Sequence, residues 1–149
     1  MEKKILNSIL ALIFVFVAPS LSWGQDSSVS KDFSGTIETS YDNGQKEAVC
    51  EFTLGEKDGL FTLYHENGSI KETGSFSRGL KHGTWVRYSE SGRKVAIAEY
   101  NLGQKEGNWK IWDESGVLRY DMTYMGDQKV DIWYMYDEDS QLVSTKSYE

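Results

Sequence analysis

The sequence predicts an all-β protein, an elongated antiparallel β-meander of about ten strands built from 24-residue hairpin repeats. Three observations predict it. Glycine recurs at a period of 24 in three columns: Gly35, Gly59, Gly83 and Gly107; Gly44, Gly68, Gly92 and Gly116; and Gly55, Gly79, Gly103 and, one residue out of register, Gly126. Of the chain's 14 glycines only Gly24 and Gly74 stand outside these columns, so the glycines mark turns and not random loops. Between them Phe52, Phe76, Tyr100, Tyr124 and Tyr148 follow one another at the same period of 24. The single proline is Pro19, so nothing beyond it interrupts a hydrogen-bonded ladder, and no helical segment supplies a crossover.

Taken in order, the chain begins with Met1-Glu2-Lys3-Lys4, an apolar run from Ile9 to Ala18, Pro19 and small residues up to Gly24. Residues 1–24 read as a secretory signal peptide, with cleavage leaving Gln25 as the new N-terminus. The apolar run is about half of the roughly 20 residues a spanning helix needs, which argues against a permanent membrane anchor. No cysteine lies near the cut, which excludes a lipoprotein. Residues 25–34 are expected to be a flexible N-terminal segment and residues 35–149 the repeat domain.

Within a repeat, two runs rich in aromatic and β-branched residues flank a glycine-containing turn, as in Gly83 to Ser91 followed by Arg93 to Leu102. Asn67-Gly68 readily adopts the positive φ angles of a tight hairpin turn. Glu90-Ser91-Gly92 and Glu114-Ser115-Gly116 keep the glycine, and Glu138-Asp139-Ser140 loses it. The second turn carries two glycines four apart, as in Gly79-Leu80-Lys81-His82-Gly83, which predicts a longer turn with special backbone angles at both ends. At roughly 4.8 Å per strand the array spans on the order of 43 Å.

Side-chain parity sorts the strand residues. Ile37, Phe61, Trp85, Trp109 and Trp133 form one column, joined two residues on by Leu63, Arg87, Ile111 and Met135. Tyr41, Tyr64, Tyr88, Trp112 and Tyr136 form a second, with Tyr41 one residue out of step. The odd spacing places Trp85 and Tyr88 on opposite faces unless a bulge re-aims one of them.

Gly83-x-Trp85-x-x-Tyr88-x-x-x-Gly92 followed by Tyr100-x-x-Gly103-x-Lys105-x-Gly107 resembles the variant MORN repeat, found in proteins often labelled YwqK-type antitoxin components of toxin–antitoxin modules. The resemblance runs from Gly35 to Tyr148. It implies an all-β array that binds proteins or, in some relatives, membranes, with no shared catalytic residues to carry over. The chain departs from the pattern at Phe61, which replaces Trp, at Asp131 and Ser140, which replace glycines as capping repeats do, and in its signal peptide.

The net charge of −7 becomes −8 once Glu2, Lys3 and Lys4 leave with the signal peptide, which argues against nucleic-acid partners. Cys50 is the only cysteine, so stability comes from packing and not from an intramolecular disulfide. The repeated Lys57, Lys81, Lys105 and Lys129 predict a solvated basic edge, and Glu66, Glu90, Glu114 and Glu138 an acidic one. Asp137-Glu138-Asp139 lacks the spaced acids and terminal Glu of a calcium loop, and no metal or cofactor is expected. His65 and His82 fall at positions that vary between repeats, and no acid, base and nucleophile set can be assembled, so a non-enzyme is expected.

What remains is a repeated surface. The candidate binding residues are Tyr64, Tyr88, Trp112, Tyr136, Trp85, Trp109, Trp133, Lys81 and Lys105. Aromatic columns pack as cross-strand neighbours, and a row left exposed becomes a docking face. The expected function is an exported, periplasmic or secreted protein–protein interaction module, antitoxin- or immunity-like or an envelope scaffold. The alternative is a glycan- or envelope-surface-binding protein that uses the aromatic row.

Overall fold

The computed structural model describes residues 29–149; the signal peptide assigned to residues 1–24 lies outside them, as do residues 25–28 of the segment that follows. The compact unit begins at Lys31. Its ten strands are β1 (Gly35–Ser40), β2 (Lys46–Thr53), β3 (Glu56–Tyr64), β4 (Ile70–Ser77), β5 (Leu80–Tyr88), β6 (Lys94–Asn101), β7 (Gln104–Trp112), β8 (Leu118–Met125), β9 (Gln128–Tyr136) and β10 (Leu142–Tyr148). They form one open antiparallel sheet in which every strand pairs with its neighbours in sequence. Among the described residues there is no helix and no second layer.

Ahead of β1, Phe33 packs edge-on against Phe52 at 6.2 Å, its carbonyl accepts the Gly55 N–H at 2.8 Å, and Ser34 Oγ accepts the Leu54 N–H at 3.0 Å. The residues just before the first strand are thus fastened to the β2–β3 hairpin.

The two kinds of turn differ from the sequence reading. At the β3–β4 turn the Gly68 N–H donates to the His65 carbonyl at 2.9 Å and the His65 N–H to the Ser69 carbonyl at 2.8 Å. This is a three-residue loop closed by one left-handed residue, Gly68, at φ 83°. Asn67 keeps a negative φ and uses its Oδ1 to accept the Ser69 N–H at 2.9 Å. The closing position is held by Gly44, Gly92, Gly116 and, at φ 62°, Ser140 in the other hairpins.

The glycine pairs four apart do not make a longer turn. Thr53 pairs with Glu56, leaving a two-residue loop of Leu54 and Gly55 with φ of 50° and 78°, the type I′ geometry that follows the twist of the strands. Arg78-Gly79 and Leu102-Gly103 repeat it. Gly126-Asp127 fills the same loop with φ of 55° and 69°, so the slipped glycine reflects a swap of order inside a conserved geometry. The second glycine of each pair lies inside the strand, where the pairing jumps from Cys50↔Phe61 to Phe52↔Lys57. That bulge inserts two residues, so the strand's facing is preserved.

One face of the sheet holds the core. Ala48, Cys50, Trp85, Ala96, Ala98, Trp109, Ile111 and Met122 are buried on it. Rings from successive strands interleave along it from Phe61 through Phe76 (5.5 Å), Trp85 (5.1 Å), Tyr100 (6.4 Å), Trp109 (5.1 Å), Tyr124 (5.1 Å) and Trp133 (5.0 Å) to Tyr148 (4.8 Å). Mostly tilted or edge-to-face, these contacts suit the ring quadrupole and link β3 to β10 without a second layer. Gly74 now has its reason, because a Cβ there would overlap the Trp85 ring. Cys50 has the place of a small hydrophobe, fully buried, its thiol pushed up to about 11 by burial.

Candidate binding surface

Lys57, Lys81 and Lys105 of the lysine column are half-buried and not solvated, while Lys129 stays exposed. A lysine at the second position of β3, β5, β7 and β9 lies on the core side, beside the ring of the preceding even strand, as Lys81 pairs with Phe76. Lys81 Nζ stands 3.7 Å from the Trp85 centroid and 5.3 Å from that of Tyr100. Lys105 sits 5.2 Å from Trp109 and 4.9 Å from Tyr124, Lys129 4.7 Å from Trp133 and 5.4 Å from Tyr148, and Lys57 5.1 Å from Phe76. These are cation–π contacts in which the lysine stems also cover ring surface. Burial lowers the ammonium pKa of Lys57 and of Lys81. Glu72, only 5 % exposed, meets Lys81 at 3.2 Å and Arg87 at 4.0 Å on the same face.

Of the candidate residues, Trp85, Trp109, Trp133, Lys81 and Lys105 therefore belong to one packed ladder. Tyr64, Tyr88, Trp112 and Tyr136 lie elsewhere. The pairing irregularity beside each comes from an extra residue on the even strand: Arg87 pairs with Ala96 and Tyr88 with Lys94, leaving Val95 over. The odd strand alternates undisturbed, so Tyr88 faces away from Trp85. All four rings are half-buried, and among the described residues none makes a ring contact with the ladder. Both faces thus carry aromatic rows, one packed and one open.

The open row is held by polar contacts reaching across from the preceding hairpin. Tyr41 Oη donates to the Tyr64 carbonyl at 2.6 Å, His65 Nε2 meets the Tyr88 carbonyl at 3.0 Å and Arg119 Nε donates to the Tyr136 carbonyl at 2.9 Å. The turns beside the rings are tied likewise: Asn43 Nδ2 donates to the Glu66 carbonyl at 3.2 Å, Asn67 Nδ2 to that of Glu90 at 3.2 Å and Arg93 Nη1 to that of Glu114 at 2.9 Å. At the opposite end of the hairpins, Asp58 Oδ1 accepts the Arg78 N–H at 3.4 Å, His82 Nδ1 the Leu102 N–H at 3.4 Å and Glu106 Oε2 the Gly126 N–H at 2.9 Å.

Two readings change accordingly. Tyr41 leaves the aromatic column: Ser40 takes the place equivalent to Tyr64, pairing with Lys46 as Tyr64 pairs with Ile70, and Tyr41 aligns with His65. The one-residue offset in the sequence was this shift. His65 and His82 occupy positions whose residue type varies while the hydrogen-bonding task persists. Sequence identity hid that task, because Ser34, Asp58, His82 and Glu106 share an acceptor and little else.

In the last two hairpins an aspartate organises the turn. Asp113 Oδ1 accepts N–H groups of Ser115 and Val117, each at 3.0 Å, and Oδ2 meets Arg119 Nη1 at 3.2 Å. Burial would raise the Asp113 carboxyl, and these hydrogen bonds outweigh it and hold the group below its ordinary value. Asp137 Oδ1 likewise accepts from Asp139 and Gln141 at 3.0 and 2.8 Å. Among the described residues no three His, Cys, Asp or Glu side chains converge as a metal site.

Residues 57–77 and 105–125 match the MORN repeat variant family. Each segment runs from the stacked lysine through the aromatic ladder position to the end of the next even strand. No curated protein matches the chain. Among solved structures, the chain is similar to a part of the crystal structure of accessory secretory protein 1, 2 and 3 in Streptococcus pneumoniae, at 12 % identity over 67 % of this chain and 18 % of that one, with a TM-score of 0.39. It is also similar to a part of the crystal structure of the GtfA/B complex bound to UDP and GlcNAc, at 15 % identity over 86 % of this chain and 29 % of that one, with a TM-score of 0.41. The chain spans less than a third of either.

Proposed function

We propose that this chain is an exported, non-enzymatic binding protein whose open aromatic face docks another protein, as an antitoxin- or immunity-like partner or as an envelope scaffold. The MORN repeat variant match supports a repeat-based binding module. One observation carries the assignment to a face. The fold uses Trp85, Trp109 and Trp133 to build its core, yet keeps a second row, Tyr64, Tyr88, Trp112 and Tyr136, half-buried on the other side. Rings left at a surface and held in register are the raw material of interface anchors. Their backbone carbonyls at Tyr64, Tyr88 and Tyr136 are fixed before any partner arrives, which reduces the ordering cost of binding.

Affinity capture from envelope extracts, run beside sedimentation with peptidoglycan and polysaccharide, tests the reading. A protein partner retained by the wild type and lost with Tyr88→Ala plus Trp112→Ala is the expected result. Co-sedimentation with insoluble glycan that the same double substitution abolishes would overturn it in favour of a glycan binder.

A further inference from the structure

The open face repeats one recognition unit per hairpin. Each unit pairs a half-buried ring at Tyr64, Tyr88, Trp112 or Tyr136 with an exposed carboxylate two residues on, at Glu66, Glu90, Glu114 or Glu138. Ion pairs among the described residues engage Glu38, Glu72, Asp113 and Asp121, and none of the four turn glutamates. The main chains of Glu66, Glu90 and Glu114 are pinned through their carbonyls, so the carboxylates project from fixed points. Successive units stand two strands apart, roughly 9.6 Å. A polypeptide in the polyproline II conformation rises about 3.1 Å per residue with three residues per turn, so every third side chain returns to the same face after about 9.3 Å.

We infer that this face takes a polypeptide in the polyproline II conformation with Lys or Arg at every third position, laid across the strands so that each basic side chain reaches one ring and one glutamate. The inference rests on the protein-docking reading and names the partner's chemistry. A basic side chain suits both halves of the unit: its aliphatic stem covers a tyrosine or tryptophan face and its charged head reaches the carboxylate. The four units span about 29 Å, the length of about nine or ten residues in that conformation.

A cleft of about 390 Å³ ends the row beyond Tyr64, lined by Ser40, Tyr41, Asp42, Asn43, Glu47 and Glu66. Its charge is felt locally, since burial first and then the Glu47 and Glu66 carboxylates raise the Tyr41 hydroxyl pKa. This end accepts one further basic residue. The units are not equal: the Arg93 guanidinium donates to the Glu114 carbonyl and partly offsets that unit, whereas Glu138 is flanked by Asp137 and Asp139. The Trp112 unit is therefore the weakest electrostatically.

The test uses labelled peptides of about thirteen residues and identical composition, each with about four lysines set two, three or four positions apart, titrated by fluorescence anisotropy against the mature chain at about 0.15 M salt. Spacing by three is expected to bind about tenfold tighter than either alternative. Glu138→Gln is expected to weaken it more than Glu114→Gln, and Trp112→Ala to remove the preference for spacing. Equal affinity for all three spacings would reduce the face to a diffuse polyanion and overturn the inference; so would no binding, or binding unchanged in Trp112→Ala. If the peptides fail while a captured partner protein is still lost with Tyr88→Ala plus Trp112→Ala, the docking reading stands and this inference alone falls.

Discussion

The two faces of the sheet use the same residue types to opposite ends. On one, Trp85 and Trp109 are 1 % and 3 % exposed, each wedged between rings of adjacent strands and covered by a lysine. On the other, Tyr88 and Trp112 lie in the same strands three residues later and stay half-exposed. Aromatic content therefore does not separate core from surface here. The difference lies in the neighbours: the ladder face opposes each Trp with a small or flexible residue, Gly74 below Trp85 and Met122 opposite Trp109, so the rings sink in. The open face opposes Tyr88 with Lys94 and Trp112 with Leu118 across a bulge.

The comparison breaks most visibly through substitution. Trp109→Ala should cost about 3–5 kcal/mol in urea unfolding, whereas Trp112→Ala should cost about 1 kcal/mol or less. Comparable losses would show that both rows are core. Next in size, Glu72→Ala leaves Lys81 and Arg87 facing each other on the packed side, with an expected loss of about 3 kcal/mol. Glu66→Ala on the open side should leave the melting midpoint nearly unchanged, and a large drop there would mean the turn glutamates are structural.

Alkaline titration sharpens the contrast further. Burial raises the hydroxyl pKa of Tyr100, with smaller contributions from neighbouring charges, and raises that of Tyr124, while Cys50 moves from 9.0 to about 11. A raised folded pKa gives stability that is complete below the unfolded value and lost as pH rises through the folded one. For Cys50 that window runs from about 9 to about 11. For the tyrosines it opens near pH 10. Lys57 and Lys81, with lowered values, work the other way and regain stability as pH climbs toward the ordinary lysine range. Melting curves from pH 8 to 12 should show a net loss above pH 10 that Tyr100→Phe reduces, and an unaltered profile in that variant would count against a buried hydroxyl.

The smallest effect is a gain. Leu102 holds φ at 46° in a two-residue loop, a left-handed position that asparagine occupies with less strain. Leu102→Asn should stabilise the hairpin by about 0.5–1 kcal/mol, read as a raised melting midpoint.

Glycine and aromatic spacing made the repeat, the strand order and the hairpins legible, because turns need residues that tolerate positive φ and strands need alternating apolar side chains. Parity also separated Trp85 from Tyr88. The lysines were not legible: a cation beside a turn glycine looks solvated until the strand's facing puts it over a ring. Nor was the double-glycine turn, since Gly79 and Gly83 serve a two-residue loop and a separate bulge. Tyr41 was misplaced because the first repeat carries Ser40, not an aromatic, at the position of Tyr64, and pairing reveals it.

The hydrogen bonds between Tyr41 and Tyr64, Asn67 and Glu90, and His82 and Leu102 each join one hairpin to the next at places that recur in other repeats. Excising or duplicating one internal 24-residue module would rejoin equivalent backbone partners along the sheet. Such a chain behaves as a ruler with indivisible graduations. Its reach can change through duplication or loss in increments of roughly 9.6 Å, while each surviving graduation keeps its chemistry.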